Sequence, residues 1–239
     1  MSKIAIMVDG GFYQKQANYL FGRKDAKPRA DELVRYCKRH LNEKNHREHT
    51  STHELYRIFY YDCKPSEKVI YHPLTQKSVN LKMSPQYAWT NEFFKELVSK
   101  RKVALRLGEL LESNAGYELK PDSLKKLCRG DLKVEDLTQN DFFLDIKQKG
   151  VDMRIGLDIA SLAQKRLVDR IVLIAGDSDF VPAAKHARRE GIDFILDPMW
   201  HTIKDSLNEH IDGLDSVVAK PPENIHDPLH INCIPRTSE

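Results

Sequence analysis

The sequence has little cysteine, few glycines and prolines, no long apolar run and no strong excess of charge. Its four cysteines (Cys37, Cys63, Cys128, Cys233) are scattered without a CxxC pair. Scattered in this way they read as ordinary reduced thiols in a reducing compartment. No stretch approaches the roughly 20 apolar residues of a spanning helix, and the apolar run in MSKIAIMVDGG is too short for a signal peptide. The expected location is cytoplasmic, with no membrane partner. The net charge of +3 is small for a dedicated nucleic-acid binder, whereas an enzyme that must release a polyanion needs less. Neither GxxxxGK[ST] nor GxGxxG occurs, so a phosphotransferase or nucleotide-binding enzyme has no support. No Ser-His or Cys-His pairing stands out either.

What is present is a globular composition, 41% hydrophobic and 31% charged over 239 residues. That is enough apolar material for a core without staples. Short β-branched runs alternate with helical patterns, which indicates an α/β fold with a mainly parallel sheet. KIAIMV (3–8), LYRIFYYDC (55–63), VALRLGELL (103–111), IVLIA (171–175) and IDFILD (192–197) read as strands. Helices are expected over 12–20, 30–41, 86–102, 149–167, 179–190 and near 203–212, with 64–85 irregular. Residues 1–215 form the expected domain, with an insertion near 113–147 that has room for a short helix of its own. Residues 216–239 read as a polar C-terminal tail.

Two strands end in acids. Asp9 follows the first strand, and IVLIAGDSDF places Asp177 and Asp179 after another. Ligands of open α/β sheets bind at the carboxyl ends of the strands. Asp152, just after Lys149-Gly150, begins a helix and can point to the same rim. Two carboxylates about 4 Å apart repel by about 4 kcal/mol at an effective dielectric of about 20. Three or four together should raise their pKa values or splay apart unless a cation joins them. A Mg²⁺ ion suits such oxygens, can polarise a phosphodiester and can activate a water. Each acid also has an ordinary reading: an Asx turn for Asp9, an N-cap for Ser178, Asp179 or Asp152, with Pro182 tolerated in the first turn. Asp177, at the end of a buried strand, needs a partner in either reading. Asp158 lies about 120° and about 9 Å from Asp152 on a helix, which makes it an outer or second-layer ligand together with Ser178. Asp62 reads as a surface turn.

VDGGFY at 8–13, KGVD at 149–152 with Asp158 following, and AGDSDF at 175–180 resemble the NYN domain, more narrowly its LabA-like branch in the PIN-like nuclease superfamily. The resemblance covers most of residues 1–200. It implies a Rossmann-like three-layer α/β/α sandwich and a ribonuclease dependent on Mg²⁺ or Mn²⁺. By it, Asp9, Asp152 and Asp177 are the metal-binding acids, Asp179 joins them in catalysis, and Asp158 matches the family's later aspartate.

The expected partner is RNA, single-stranded RNA being favoured, and pairing into a homo-oligomer is left open. Lys149 and Arg154 are candidate phosphate contacts, and Tyr13 a candidate for stacking a base. Lys185, Arg188 and Arg189, and Lys125, Lys126 and Arg129, are charge runs that solvated faces explain equally well. Of Tyr60 and Tyr61, adjacent on a strand, one is expected in the core. His46, His49 and His53 read as a flexible loop rather than a zinc site. The alternative to hydrolysis by metal-activated water is a catalytically weak or inactive RNA-binding or regulatory module on the same fold.

Overall fold

The structure is a computed structural model that describes residues 2–42 and 53–221. Its first strand, β1 (Ser2–Asp9), is buried from Ile4 to Val8. A run apolar at every position can only sit where both faces of a sheet are covered. β1 pairs in parallel with β2 (His53–Cys63) on one side, where Asp9 stands opposite Tyr61. On its other side it pairs in parallel with β7 (Arg170–Ile174), where Val8 stands opposite Ile174. β8 (Asp193–Asp197) adds to β7 in parallel, with Ile174 opposite Asp197, and β9 (Gly213–Leu214) follows. The other strands are β3 (Val69–His72), β4 (Lys77–Asn80), β5 (Val103–Leu119) and β6 (Phe142–Lys149). The main sheet has seven strands in the order β6-β5-β2-β1-β7-β8-β9, with the four pairs from β2 to β9 parallel and β5-β6 antiparallel. This is the expected α/β architecture with a mainly parallel sheet.

The chain divides into two compact units. The first comprises residues 1–62, 92–107 and 150–239. Its helices include α1 (Gly10–Phe21), α2 (Ala26–Arg39), the end of α3 (Pro85–Val98), α5 (Val151–Gln164), α6 (Val181–Arg189) and the single turn α7 (Asp205–Asn208). Successive side chains of a strand point to opposite faces, and β2 shows what covers each. Tyr60 meets Phe93 and Phe94 of α3, whereas Tyr61 reaches Asp158 of α5. Both tyrosines are therefore fully buried; the expectation that only one would be core assumed one wet face. On the Tyr60 side α1 joins α2 through the edge-on pair Tyr13–Tyr36.

The second unit comprises residues 63–91 and 108–149. The stretch 64–85, expected to be irregular, holds the β3-β4 hairpin, whose strands are only four residues each. Residues 113–147 contain the end of β5, α4 (Pro121–Arg129) and most of β6. The strand read as ending at 111 continues to Leu119 past an irregularity between Leu111 and Gly116. Inside this unit the buried His72 stacks 4.4 Å from Tyr117 and 5.3 Å from Phe142.

Candidate active site

The register brings three strand ends to one rim. β1 ends at Asp9, β2 passes Tyr61 and reaches Asp62, and β7 ends at Ile174 two residues before Gly176. Asp9 is extended (φ −67°, ψ 110°) and caps α1, its Oδ1 accepting a 3.1 Å hydrogen bond from the Phe12 amide. The ordinary cap reading and the rim position are thus both true of it. The next residue has to be glycine: a Cβ on Gly10 would lie 2.6 Å from the Tyr61 carbonyl oxygen and 2.7 Å from the Tyr60 ring.

Burial pushes the Asp9 carboxyl up to about 6, against the ordinary 3.8. The Phe12 amide opposes the shift, and the charges of Asp152 and Asp62 add to it. Part of Asp9 still reaches solvent, so enclosure by neighbouring groups, not complete loss of surface, is the cause. Three acids are therefore electrostatically joined here: Asp9, Asp152 and Asp62. Asp152 is exposed in the first turn of α5, which starts after Gly150 in the left-handed region (φ 78°). Asp62 was read as a surface turn. The signal for it was the same as for Asp9, an acid following a parallel strand, and it becomes legible once Asp9 is set opposite Tyr61.

The GDSD turn is arranged differently from expectation. Asp177, not Ser178 or Asp179, is the cap: it is extended (φ −91°, ψ 140°), and its Oδ1 accepts from the Asp179 amide at 3.1 Å. Ser178, Asp179 and Phe180 form a 3-10 turn that leads into α6, with Pro182 in its first turn. Asp177 and Asp179 are both exposed. Gly176 is closely overlain, since a Cβ there would lie 2.6 Å from Phe12 Cε2 and 2.9 Å from His201 Cδ2. Ser178 Oγ accepts a hydrogen bond from Lys204 Nζ at 3.3 Å.

Asp158 is engaged elsewhere, accepting from Tyr61 OH at 2.8 Å and from Arg106 Nε at 3.1 Å. Burial and the Asp158 charge push the Tyr61 phenol up, so it remains the donor. Arg106 lies over the Phe59 ring at 5.4 Å. Of the substrate candidates, Arg154 is exposed on the first turn of α5, and Lys149 is exposed at the end of β6 in the second unit. Tyr13 is corrected: its ring is fully buried against Tyr36, so it cannot stack a base. Arg188 is bound to Asp212. His53 is buried and faces Arg170, while His46 and His49 lie outside the described residues.

The donor set is all carboxylate, the chemistry a hard divalent cation prefers. Mg²⁺ commonly takes one or two protein carboxylates and completes its shell with waters and substrate oxygens, and Asp9 with Asp152 could supply two. Among the described residues no three histidine, cysteine or acidic side chains come together closely enough to hold an ion by themselves. The residues thus suit an open, water-rich site rather than a closed protein cage. Also among the described residues, no helix is long and apolar enough to cross a membrane.

A family model described as "NYN domain" matches residues 87–212, just over half of the chain and a span that includes Asp152, Asp158, Asp177 and Asp179. Among solved structures, the chain is similar to a protein of unknown function from Vibrio parahaemolyticus. The two share 16% identity over 89% of this chain and 91% of that one, with a TM-score of 0.41. The search of curated proteins gives no match.

Proposed function

Because the chain belongs to the NYN domain family, whose members are generally nucleases, we propose that it is a metal-dependent ribonuclease of the LabA-like branch. The observation that carries this reading is the strand-end rim, where Asp9 at the end of β1 stands opposite Tyr61, next to Asp62, and feels the charges of Asp62 and Asp152. Asp9 and Asp152 hold Mg²⁺ or Mn²⁺, with Asp62 beside them and Asp177 and Asp179 on the adjoining turn. When bound there, the cation offsets the clustered charge, polarises the phosphodiester and lowers the pKa of the attacking water. Asp9 must be ionised to serve, so protons compete with the cation for it below pH about 6. Arg154, exposed on the first turn of α5, is the proposed contact for a substrate phosphate. Asp158 acts as a positioning group through Tyr61 and Arg106.

A second reading, an RNA-binding module without turnover, is favoured by two carboxylates that already have work to do. Asp177 caps its own turn, and Asp158 is held by Tyr61 and Arg106. Calorimetric titration of Mn²⁺ alongside cleavage of single-stranded RNA separates the two. The enzyme binds Mn²⁺ and cleaves, and Asp9→Asn loses both; the module binds RNA equally well in EDTA and never cleaves it.

A further inference from the structure

The segment after β8 was not singled out by its sequence. β8 ends at Asp197, a fully buried carboxylate with four hydrogen-bond partners. Oδ2 accepts from Tyr36 OH at 2.6 Å and lies 2.8 Å from His40 Nε2. Oδ1 accepts from the Met199 amide at 2.8 Å and from Ser216 Oγ at 3.1 Å. An isolated buried carboxylate is costly, and this degree of pairing is what offsets the cost. The arrangement fixes the turn that follows, where Met199 (φ 48°) and Trp200 (φ 66°) occupy the left-handed region in succession.

Each such residue costs about 1–2 kcal/mol without a glycine. The turn is held by the Asp197 bond to Met199, by the Trp200 amide to Ser216 Oγ at 3.1 Å, by Trp200 Nε1 to the Val218 carbonyl at 2.9 Å, and by the His201 amide to the Pro198 carbonyl at 2.8 Å. Backbone strain kept by so many bonds is a feature to be explained by what the turn presents. It presents two side chains to the GDSD turn. The His201 ring packs edge-on to Phe12 with centroids 5.9 Å apart, and the two rings lie over Gly176. Lys204, exposed, donates to Ser178 Oγ at 3.3 Å.

Lys204 is set beside a turn flanked by Asp177 and Asp179, yet among the described residues its ammonium makes no ion pair with either. Among the described residues its one hydrogen bond is to the serine between them. An ammonium has three donors, so two remain for an anionic oxygen. A rim carrying this many carboxylates repels a phosphate backbone, and a cation placed among them reverses that locally. We propose that the Met199–Lys204 segment is a substrate-binding wall of the site, in which Lys204 contacts a backbone phosphate of single-stranded RNA. This rests on the nucleic-acid reading of the site, but not on its turnover.

The test measures binding of a fluorescein-labelled single-stranded RNA in EDTA over a salt series, and cleavage separately with Mn²⁺. Lys204→Ala is expected to raise Kd about fivefold to tenfold in every sequence and to reduce the slope of log K against log salt by about 1. With Mn²⁺ its KM rises while kcat stays within about twofold, because a ground-state phosphate contact is equally present in the transition state. Lys204→Arg restores Kd and slope. If Lys204→Ala binds like the wild type with the same slope while the wild type cleaves, this proposal falls and the ribonuclease reading stands. If binding depends on Lys204 but no cleavage occurs, the catalytic reading falls and this one stands. A wild type that neither binds RNA in EDTA nor cleaves it with Mn²⁺ overturns both.

Discussion

Replacing Asp9 by asparagine should make the metal-free protein more stable near neutral pH. The Asp9 carboxyl is raised to about 6 from an ordinary 3.8, so the folded state holds its proton more tightly than the unfolded chain does. The stability associated with that proton is fully present below about pH 3.8 and is lost as pH rises through about 6. At about pH 7.5 the ionised carboxylate therefore costs about 3 kcal/mol, from about 1.4 kcal/mol per pH unit. This is an upper bound, because part of Asp9 still reaches solvent. Asparagine cannot ionise, but its side-chain oxygen can still accept from the Phe12 amide, and Asn is as good a helix cap as Asp. In EDTA at about pH 7.5, Asp9→Asn should melt up to roughly 6–12 °C above the wild type. The gap should narrow to about half by about pH 5 and nearly vanish by about pH 4. Mn²⁺ should then raise the melting temperature of the wild type and leave Asp9→Asn unmoved. A variant no more stable than wild type in EDTA, or a gap that persists in acid, would refute the electrostatic account of the rim.

Gly176→Ala should destabilise the fold by about 1–3 kcal/mol in urea unfolding, since the new Cβ meets Phe12 at 2.6 Å and His201 at 2.9 Å. A fully stable variant would show that those rings move aside freely. Tyr61→Phe removes the 2.8 Å bond to Asp158 and should cost about 1–2 kcal/mol without changing Mn²⁺ affinity in calorimetry. A large loss of affinity would place Asp158 at the metal. Asp197→Ala leaves Tyr36, His40, Met199 and Ser216 without their shared acceptor. It should cost about 3–5 kcal/mol in urea unfolding, and a near-neutral result would show that the turn holds itself.

The parallel sheet could be read from the sequence because IAIMV (4–8) and IVLIA (171–175) are apolar at every position, which is the mark of strands covered on both faces. Asp9 and Asp177 could be read because each breaks such a run with a charge. The β3-β4 hairpin could not: four-residue strands in a lysine-rich stretch carry too few alternations to register. Asp62 and Asp197 follow strands as Asp9 does. What separates the three is which neighbours reach them, Asp152 and Asp62 for Asp9 and Tyr36 with His40 for Asp197, and those contacts come from residues distant in the chain. The cap at GDSD was assigned to the wrong carboxylate because it depends on backbone angles, with Asp177 extended and Asp179 already inside the turn. Tyr13 was misjudged for a similar reason: its neighbour Phe12 faces Gly176, and one residue further round α1 the side chain faces α2.

The central claim is that the acids of this rim act together on RNA through a divalent cation. Its most direct test is cleavage of single-stranded RNA in Mn²⁺ by the wild type and by Asp152→Asn, whose exposed position leaves the core untouched. Wild-type cleavage that EDTA abolishes, with Asp152→Asn slower by about a hundredfold or more, is the predicted result. Cleavage by Asp152→Asn at the wild-type rate would contradict it.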